Sequence, residues 1–244
     1  MDNQLIVGIH QPNFMPWLGY FYKIWQSDVF IFLDDVQFIK TGSSYTNRVS
    51  INIHGQDQYI TIPIKRGSGV QNINKTHFLN EKWKKKLIST LQSNYAKSPY
   101  FNENREFIFA LINFKAENLA EYNMNFIQKI SEKLNFHTQF VQSSTFELTT
   151  KSTQRLIELI NNVNGKVYLS GAGGDEYQDH DTYKKEKIEV HYNKMPIFEY
   201  PQPKGEPFIE GLSIVDALFN IGFKGLETSL FNHKRINNDN TKTE

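Results

Sequence analysis

Between Leu5 and Leu33 the chain reads strand, helix, strand. Leu5 to Ile9 is a short apolar run, Trp17, Tyr20, Phe21 and Ile24 recur at helical spacing behind Pro16, and Val29 to Leu33 is a second apolar run. Two buried strands joined by one helix within about 30 residues make a βαβ unit, which commits the chain to a parallel sheet with a right-handed crossover. Open sheets of this kind bind ligands outside the carboxyl ends of their strands. The densest polar stretch of the chain falls there: His10-Gln11-Pro12-Asn13-Phe14-Met15-Pro16-Trp17-Leu18-Gly19-Tyr20. A pocket uses such a set; the competing reading is a structural turn in which His10 bonds a backbone carbonyl.

Further along, Val49 to Ile53 and Tyr59 to Ile64 alternate like strands around His54-Gly55-Gln56-Asp57 and predict a hairpin. Arg66-Gly67-Ser68-Gly69 reads as a loop that either holds an anion or is solvated. Three amphipathic helices follow, marked by Trp83, Leu87 and Leu91, by Phe107, Leu111 and Phe114, and by Leu119, Tyr122, Phe126, Ile130 and Leu134. Lys82, Lys84, Lys85 and Lys86 are best read as a solvated face of the first. Alternation then resumes with a strand at His137 to Val141, a helix around Leu156, Ile157 and Ile160, and strands at Lys166 to Leu169 and Ile188 to Tyr192. Pro196 to Pro207 is too broken for regular structure, and Ser213 caps a short apolar helix to Ile221. The expected architecture is one α/β domain over residues 1–233, a mainly parallel Rossmann-like sheet with a β-hairpin and a helical insertion at about 80–135, followed by a disordered tail at 234–244.

Composition narrows the chemistry. With no cysteine, disulfides, thiolate metal sites and cysteine nucleophiles are excluded. A formal net charge of +1 gives no bulk attraction to nucleic acid or to a membrane. No apolar run approaches the roughly 20 residues that span a bilayer, and the first residues lack a signal peptide's basic flank, so a cytoplasmic location is expected.

Four groups of residues carry candidate chemistry. His10 at a strand end acts as acid or base near neutral pH, with Gln11, Asn13 and Trp17 as substrate contacts. Asp34 and Asp35 are adjacent in an extended segment and point oppositely, so one faces a pocket while the other caps or pairs. A carboxylate there serves a ribose hydroxyl, an amine, a nucleophile or Mg²⁺, with Gln37, Lys40, Asn47 and Arg48 close behind. Ser170-Gly171-Ala172-Gly173-Gly174-Asp175-Glu176-Tyr177 forms either an anion cradle, with Ser170, Gly171 and Tyr177 as contacts, or a tight turn. It matches neither a Walker loop nor a dinucleotide fingerprint nor a nucleophile elbow. Lys151 and Arg155 share a helix face and clamp phosphate or are merely solvated. The scattered histidines form no metal pattern, His180, Asp181 and His191 being the nearest approach.

On Ile9 to Phe21, Phe32-Leu33-Asp34-Asp35-Val36-Gln37-Phe38, Asn47-Arg48, Tyr168 to Gly171 and Leu212 to Gly222, the chain resembles the WbqC-like protein family of bacterial O-antigen and surface-polysaccharide clusters. The resemblance implies a role with nucleotide-activated sugars, as an acyl or aminoacyl transferase acting on an amino sugar. His10, Asp34, Asp35, Asn47 and Arg48 are the residues it carries over. More distantly, the opening looks like the strand-turn-helix of nucleotidyltransferases and class I aminoacyl-tRNA synthetases, without their second histidine.

The leading expectation is therefore a transferase in which His10 is acid or base, Asp34 or Asp35 orients the acceptor amine, and Arg48 with Ser170-Gly171 holds phosphate. Its expected partners are a nucleotide sugar and an acyl donor, free or on an acyl carrier protein, with neither nucleic acid nor membrane. No cofactor is required by sequence. The alternatives are nucleotidyl transfer with Mg²⁺ on the aspartates, and a non-catalytic nucleotide-sugar binding protein.

Overall fold

The computed structural model describes residues 4–39, 44–65, 67, 69–171, 179–202, 207–231 and 235. Strand β1 (Ile6–His10) passes through helix α1 (Leu18–Gln26) into β2 (Val29–Phe32), whose four residues are all buried. A hairpin, β3 (Arg48–Ile53) and β4 (Gln56–Thr61), and three helices, α2 (Lys82–Tyr95), α3 (Phe101–Ile112) and α4 (Leu119–Lys133), precede the return to the sheet. There follow β5 (Gln139–Gln142), α5 (Ser152–Asn162), β6 (Val167–Ser170), α6 (His180–Lys185), β7 (Glu189–Tyr192) and α7 (Ile214–Ser229).

The main sheet runs β5-β2-β1-β6-β7 with every pair parallel, and the hairpin stands apart as its own antiparallel pair. The predicted α/β class and parallel sheet are thus what the chain adopts. Strand order grows outward from β1 in both directions, so right-handed crossovers must put helices on opposite faces. The buried clusters follow that rule. Phe30 and Phe32 pack with α1, the helices α2 to α4 and α7, whereas Val7, Ile9, Val29, Ile31 and Tyr168 pack with α5 and Tyr183 of α6. Gly8 lies where α1 crosses closest: a Cβ there would meet Ser27 Oγ at 2.4 Å and the Phe30 ring at 2.9 Å.

Several boundaries differ from the sequence reading, most by one residue and four with a visible local reason. The hairpin turn is only His54-Gly55, with φ of 56° and 87°, because Gln56 and Asp57 already pair with Ile53 and Asn52. Its second strand ends at Thr61 rather than Ile64, since Pro63 has no N–H for a ladder. β5 starts at Gln139 rather than His137 because its partner β2 begins at Val29, opposite Gln139, while the Thr138 hydroxyl lies within hydrogen-bond distance of the Ile24 and Ser27 carbonyls at the end of α1. The last helix runs beyond Ile221 to Ser229 through a kink at Gly222, whose φ of 70° suits glycine and whose missing side chain leaves room for the Tyr100 ring. The tail beyond Arg235 lies outside the described residues; Arg235 itself donates to the Ser27 carbonyl.

Candidate functional site

Strand order reverses between β1 and β6, and the helices that follow these strands leave on opposite faces, which opens a crevice at their carboxyl ends. A cavity of about 690 Å³ occupies that crevice. His10 at the tip of β1, Gly19, Tyr20 and Lys23 of α1, Gly171 after β6 and Asn193 after β7 form its inner wall. The connection from β7 to α7 closes it with Met195, Ile197, Phe198, Tyr200, Phe208 and Ile209. The size is that of a small-molecule site.

His10 lies against Tyr20, its ring centroid 4.9 Å away and edge-on, and its Nδ1 is 3.0 Å from the Gln11 carbonyl oxygen. That carbonyl can only accept, so Nδ1 carries the proton and Nε2 is left as an acceptor. Burial, and then the charge of Lys23, push the imidazole down to about 4, against the opposing pull of the Gln11 carbonyl. His10 is therefore uncharged at neutral pH.

Lys23 is the functional candidate that sequence reasoning missed. Only 3% exposed, it donates from Nζ to the Ile9 carbonyl at 2.7 Å, and burial pushes its amine down to about 7. No carboxylate pairs with it among the described residues. A signal was present: Gly19 and Lys23 are four apart in Leu18-Gly19-Tyr20-Phe21-Tyr22-Lys23-Ile24, so the lysine shares the face of the glycine in a helix otherwise apolar there. The segment after β7, read only as irregular, likewise supplies most of the apolar wall.

Much of the polar opening stretch serves its own turn. The Gln11 carbonyl also accepts from Tyr20 Oη at 2.8 Å, while Asn123 of α4 donates to the carbonyls of Pro12 and Thr46 at 2.8 and 2.7 Å. Ser213 Oγ holds the Met15 carbonyl at 2.7 Å, across a Met15 backbone at φ 41°. Gln11 and Asn13 accordingly lie off the cavity wall, Asn13 being buried, whereas Trp17 lies on it. The indole explains Gly19: a Cβ there would sit 3.0 Å from Trp17 Nε1.

Asp34 and Asp35 do not join His10 at the cavity. They follow β2, on the far side of β1 from β6, and turn toward β5. Asp34, 2% exposed, accepts from the Ser144 N–H at 3.0 Å and Asn74 Nδ2 at 3.2 Å, with Ser143 Oγ 3.2 Å away. Asp35 takes Arg155 Nη2 at 2.6 Å and the Ser143 hydroxyl, and Arg155 Nη1 donates to the Leu148 carbonyl at 3.0 Å. Arg155, read from sequence as either half of a phosphate clamp with Lys151 or a solvated residue, instead forms a strap that ties the start of α5 to the tip of β2. Arg155→Met is expected to cost about 2 kcal/mol in urea unfolding, because it leaves Asp35 half-buried without its cation. Ligand affinity at the cavity should not change.

The remaining candidates are dispersed. Gln37 is exposed and bridges to Asn72; Asn47 Nδ2 donates to the Ile62 carbonyl at 3.1 Å; Arg48 lies over the Tyr59 ring at 4.4 Å. The last two brace the hairpin and do not line the cavity, so a joint phosphate grip by Arg48 and the Ser170 turn is not what the fold builds. Ser170 is buried at the end of β6, its carbonyl accepting from the Asn193 N–H at 2.9 Å, and Gly171 faces open space. Lys40, Arg66, Ser68 and the run from Ala172 through Tyr177 lie outside the described residues. Among the described residues no cluster of three or more His, Asp or Glu could hold a metal ion, and no helix is long and apolar enough to cross a membrane.

An uncharacterised protein of Mycobacterium tuberculosis (strain ATCC 25618 / H37Rv) is 30% identical over 219 residues, covering 88% of this chain and 94% of that protein. No solved structure matches. The sequence profile of the WbqC-like protein family matches residues 11–228, nearly the whole chain, and the chain belongs to that family.

Proposed function

We propose that this chain is a transferase of bacterial surface-polysaccharide biosynthesis that moves an acyl or aminoacyl group onto the amine of a nucleotide-linked amino sugar. The observation that carries the reading is the cavity at the strand-order reversal, with an uncharged His10 on its wall. With Nδ1 held by the Gln11 carbonyl, Nε2 is the ring nitrogen left to accept a proton. As the acceptor amine attacks the acyl carbon, the new C–N bond forms, the bond to the donor's leaving group breaks, and the amine proton passes through His10 to that leaving group. The apolar wall of Met195, Phe198, Phe208 and Ile209 suits the acyl portion of a donor. Asp34 and Asp35 enter this reading as the residues that fix the edge of the sheet beside the site.

Calorimetric titration with UDP-, dTDP- and GDP-linked amino sugars and with acyl thioesters tests it. One amino sugar is expected to bind, with His10→Asn weakening it about tenfold, and the amide product should appear by mass spectrometry when both substrates are present. Binding without turnover, or binding only of a nucleoside triphosphate with Mg²⁺, overturns the reading.

A further inference from the structure

We propose that Lys23 is an amine nucleophile that captures aldehydes or ketones in the cavity as an imine. Four observations carry it. Lys23 contributes to the wall of a cavity large enough for a small molecule. Its side chain is buried, yet no carboxylate neutralises it among the described residues, a costly arrangement that a packing lysine avoids by paired burial or by reaching water. One N–H is committed to the Ile9 carbonyl at 2.7 Å, which fixes the nitrogen while leaving its lone pair uncommitted once the amine is neutral. The neighbouring ring, His10, is held as a neutral acceptor through its own backbone contact and is no competing cation. Burial alone keeps a large part of Lys23 unprotonated near pH 7.

In the step itself, Nζ adds to the carbonyl carbon to give a carbinolamine. The carbonyl oxygen then departs as water carrying both amine protons, and a C=N bond remains. No oxidant, reductant or second substrate is consumed. The apolar residues Trp17, Met195, Phe198 and Phe208 select a carbonyl compound with an apolar body over a small charged one. This inference rests on the cavity and on Lys23, which the transfer reading does not use.

The test is reductive trapping at pH 7 with butanal and sodium cyanoborohydride, followed by peptide mass mapping of the full chain. Lys23 is expected to be alkylated at least tenfold faster than Lys85 and Lys86, which are exposed on α2. Its rate should rise with pH to a plateau above about pH 7. A Lys23 peptide that stays unmodified, or is labelled no faster than the α2 lysines, overturns the proposal. Labelled Lys23 in a chain that binds no amino sugar retires the transfer reading alone. Amino-sugar transfer with an unreactive Lys23 retires this one alone.

Discussion

Lys23→Met is expected to stabilise the folded chain by about 3 kcal/mol at pH 7, and by less than about 1 kcal/mol at pH 9.5. Burial holds the amine at about 7 in the native state against its ordinary 10.5. Between those values the unfolded chain binds more protons than the folded one, so native stability rises with pH across the window and is lost as pH falls toward 7. Removing the amine removes that dependence, while the Ile9 carbonyl loses its 2.7 Å donor at a cost of about 1 kcal/mol. The range stops short of pH 10 because the buried tyrosines, among them Tyr20, begin to matter there: burial raises Tyr20 above its usual value, so its contribution is lost at higher pH. Urea unfolding of both proteins at pH 7, 8 and 9.5 measures the difference directly. A native chain whose stability is flat over that range, with a methionine variant weaker throughout, would show that the amine is charged and adequately solvated.

A gain of that size from a single apolar substitution would mean that the fold keeps a destabilising group inside its cavity. Selection tolerates such a group where it is used, since stability and activity trade against one another at sites of this kind. The same logic separates Lys23 from Lys84, whose Nζ is also largely buried but is satisfied by Glu81 and by the Phe114 carbonyl at 2.7 Å. Lys84 has a carboxylate beside it, whereas Lys23 has the Ile9 carbonyl and the Tyr168 ring, 6.0 Å from Nζ, but no carboxylate among the described residues.

The architecture was legible because it is written in periodicity. Continuous apolar runs at Val29 to Leu33 and Val167 to Leu169 separated by helical spacings admit few arrangements other than a parallel sheet. The location of the cavity followed from the same pattern, since the strand that carries His10 is also the one from which strand order reverses. Side-chain direction did not follow. Asp34 and Asp35 stand at the correct edge of the sheet, but whether they turn toward β1 or β5 depends on Ser143, Ser144 and Arg155, more than a hundred residues away in sequence. Nor does a turn rich in Gln, Asn and Pro reveal how much of its polarity is consumed internally until Asn123 and Ser213 are seen to hold its carbonyls. Lys23 was hidden for the opposite reason: an isolated cation in an apolar helix reads as a solvated position unless the far wall of the cavity, contributed by the segment after β7, is already known.

Asp216→Ala is expected to cost about 4 kcal/mol, because one fully buried carboxylate, 0% exposed, gathers three separate elements. It accepts from Tyr95 Oη of α2 at 2.7 Å, from Tyr200 Oη on the cavity wall at 2.9 Å and from Asn220 Nδ2 of its own helix at 3.2 Å. Tyr95 Oη in turn accepts from the Asn52 N–H at 3.0 Å, so the network runs from the hairpin through α2 and α7 to the cavity. Alanine strands the Tyr95 and Tyr200 hydroxyls together, while Asn220 Nδ2 keeps the Asp216 backbone carbonyl at 2.9 Å; Tyr200→Phe removes a single donor and should cost about 1 kcal/mol. Asp216→Asn keeps one acceptor oxygen and should fall between them. Burial lifts the carboxyl above its usual range. Its folded value therefore exceeds its unfolded one, and the native chain should gain on the asparagine variant as pH falls through that raised value. Because Tyr200 loses its anchor, the alanine variant should also bind cavity ligands more weakly than Arg155→Met does, although both are destabilised. Urea unfolding at pH 7 gives the first comparison and calorimetric titration the second, and an alanine variant within about 1 kcal/mol of the native chain would mean that water replaces the carboxylate among these hydroxyls.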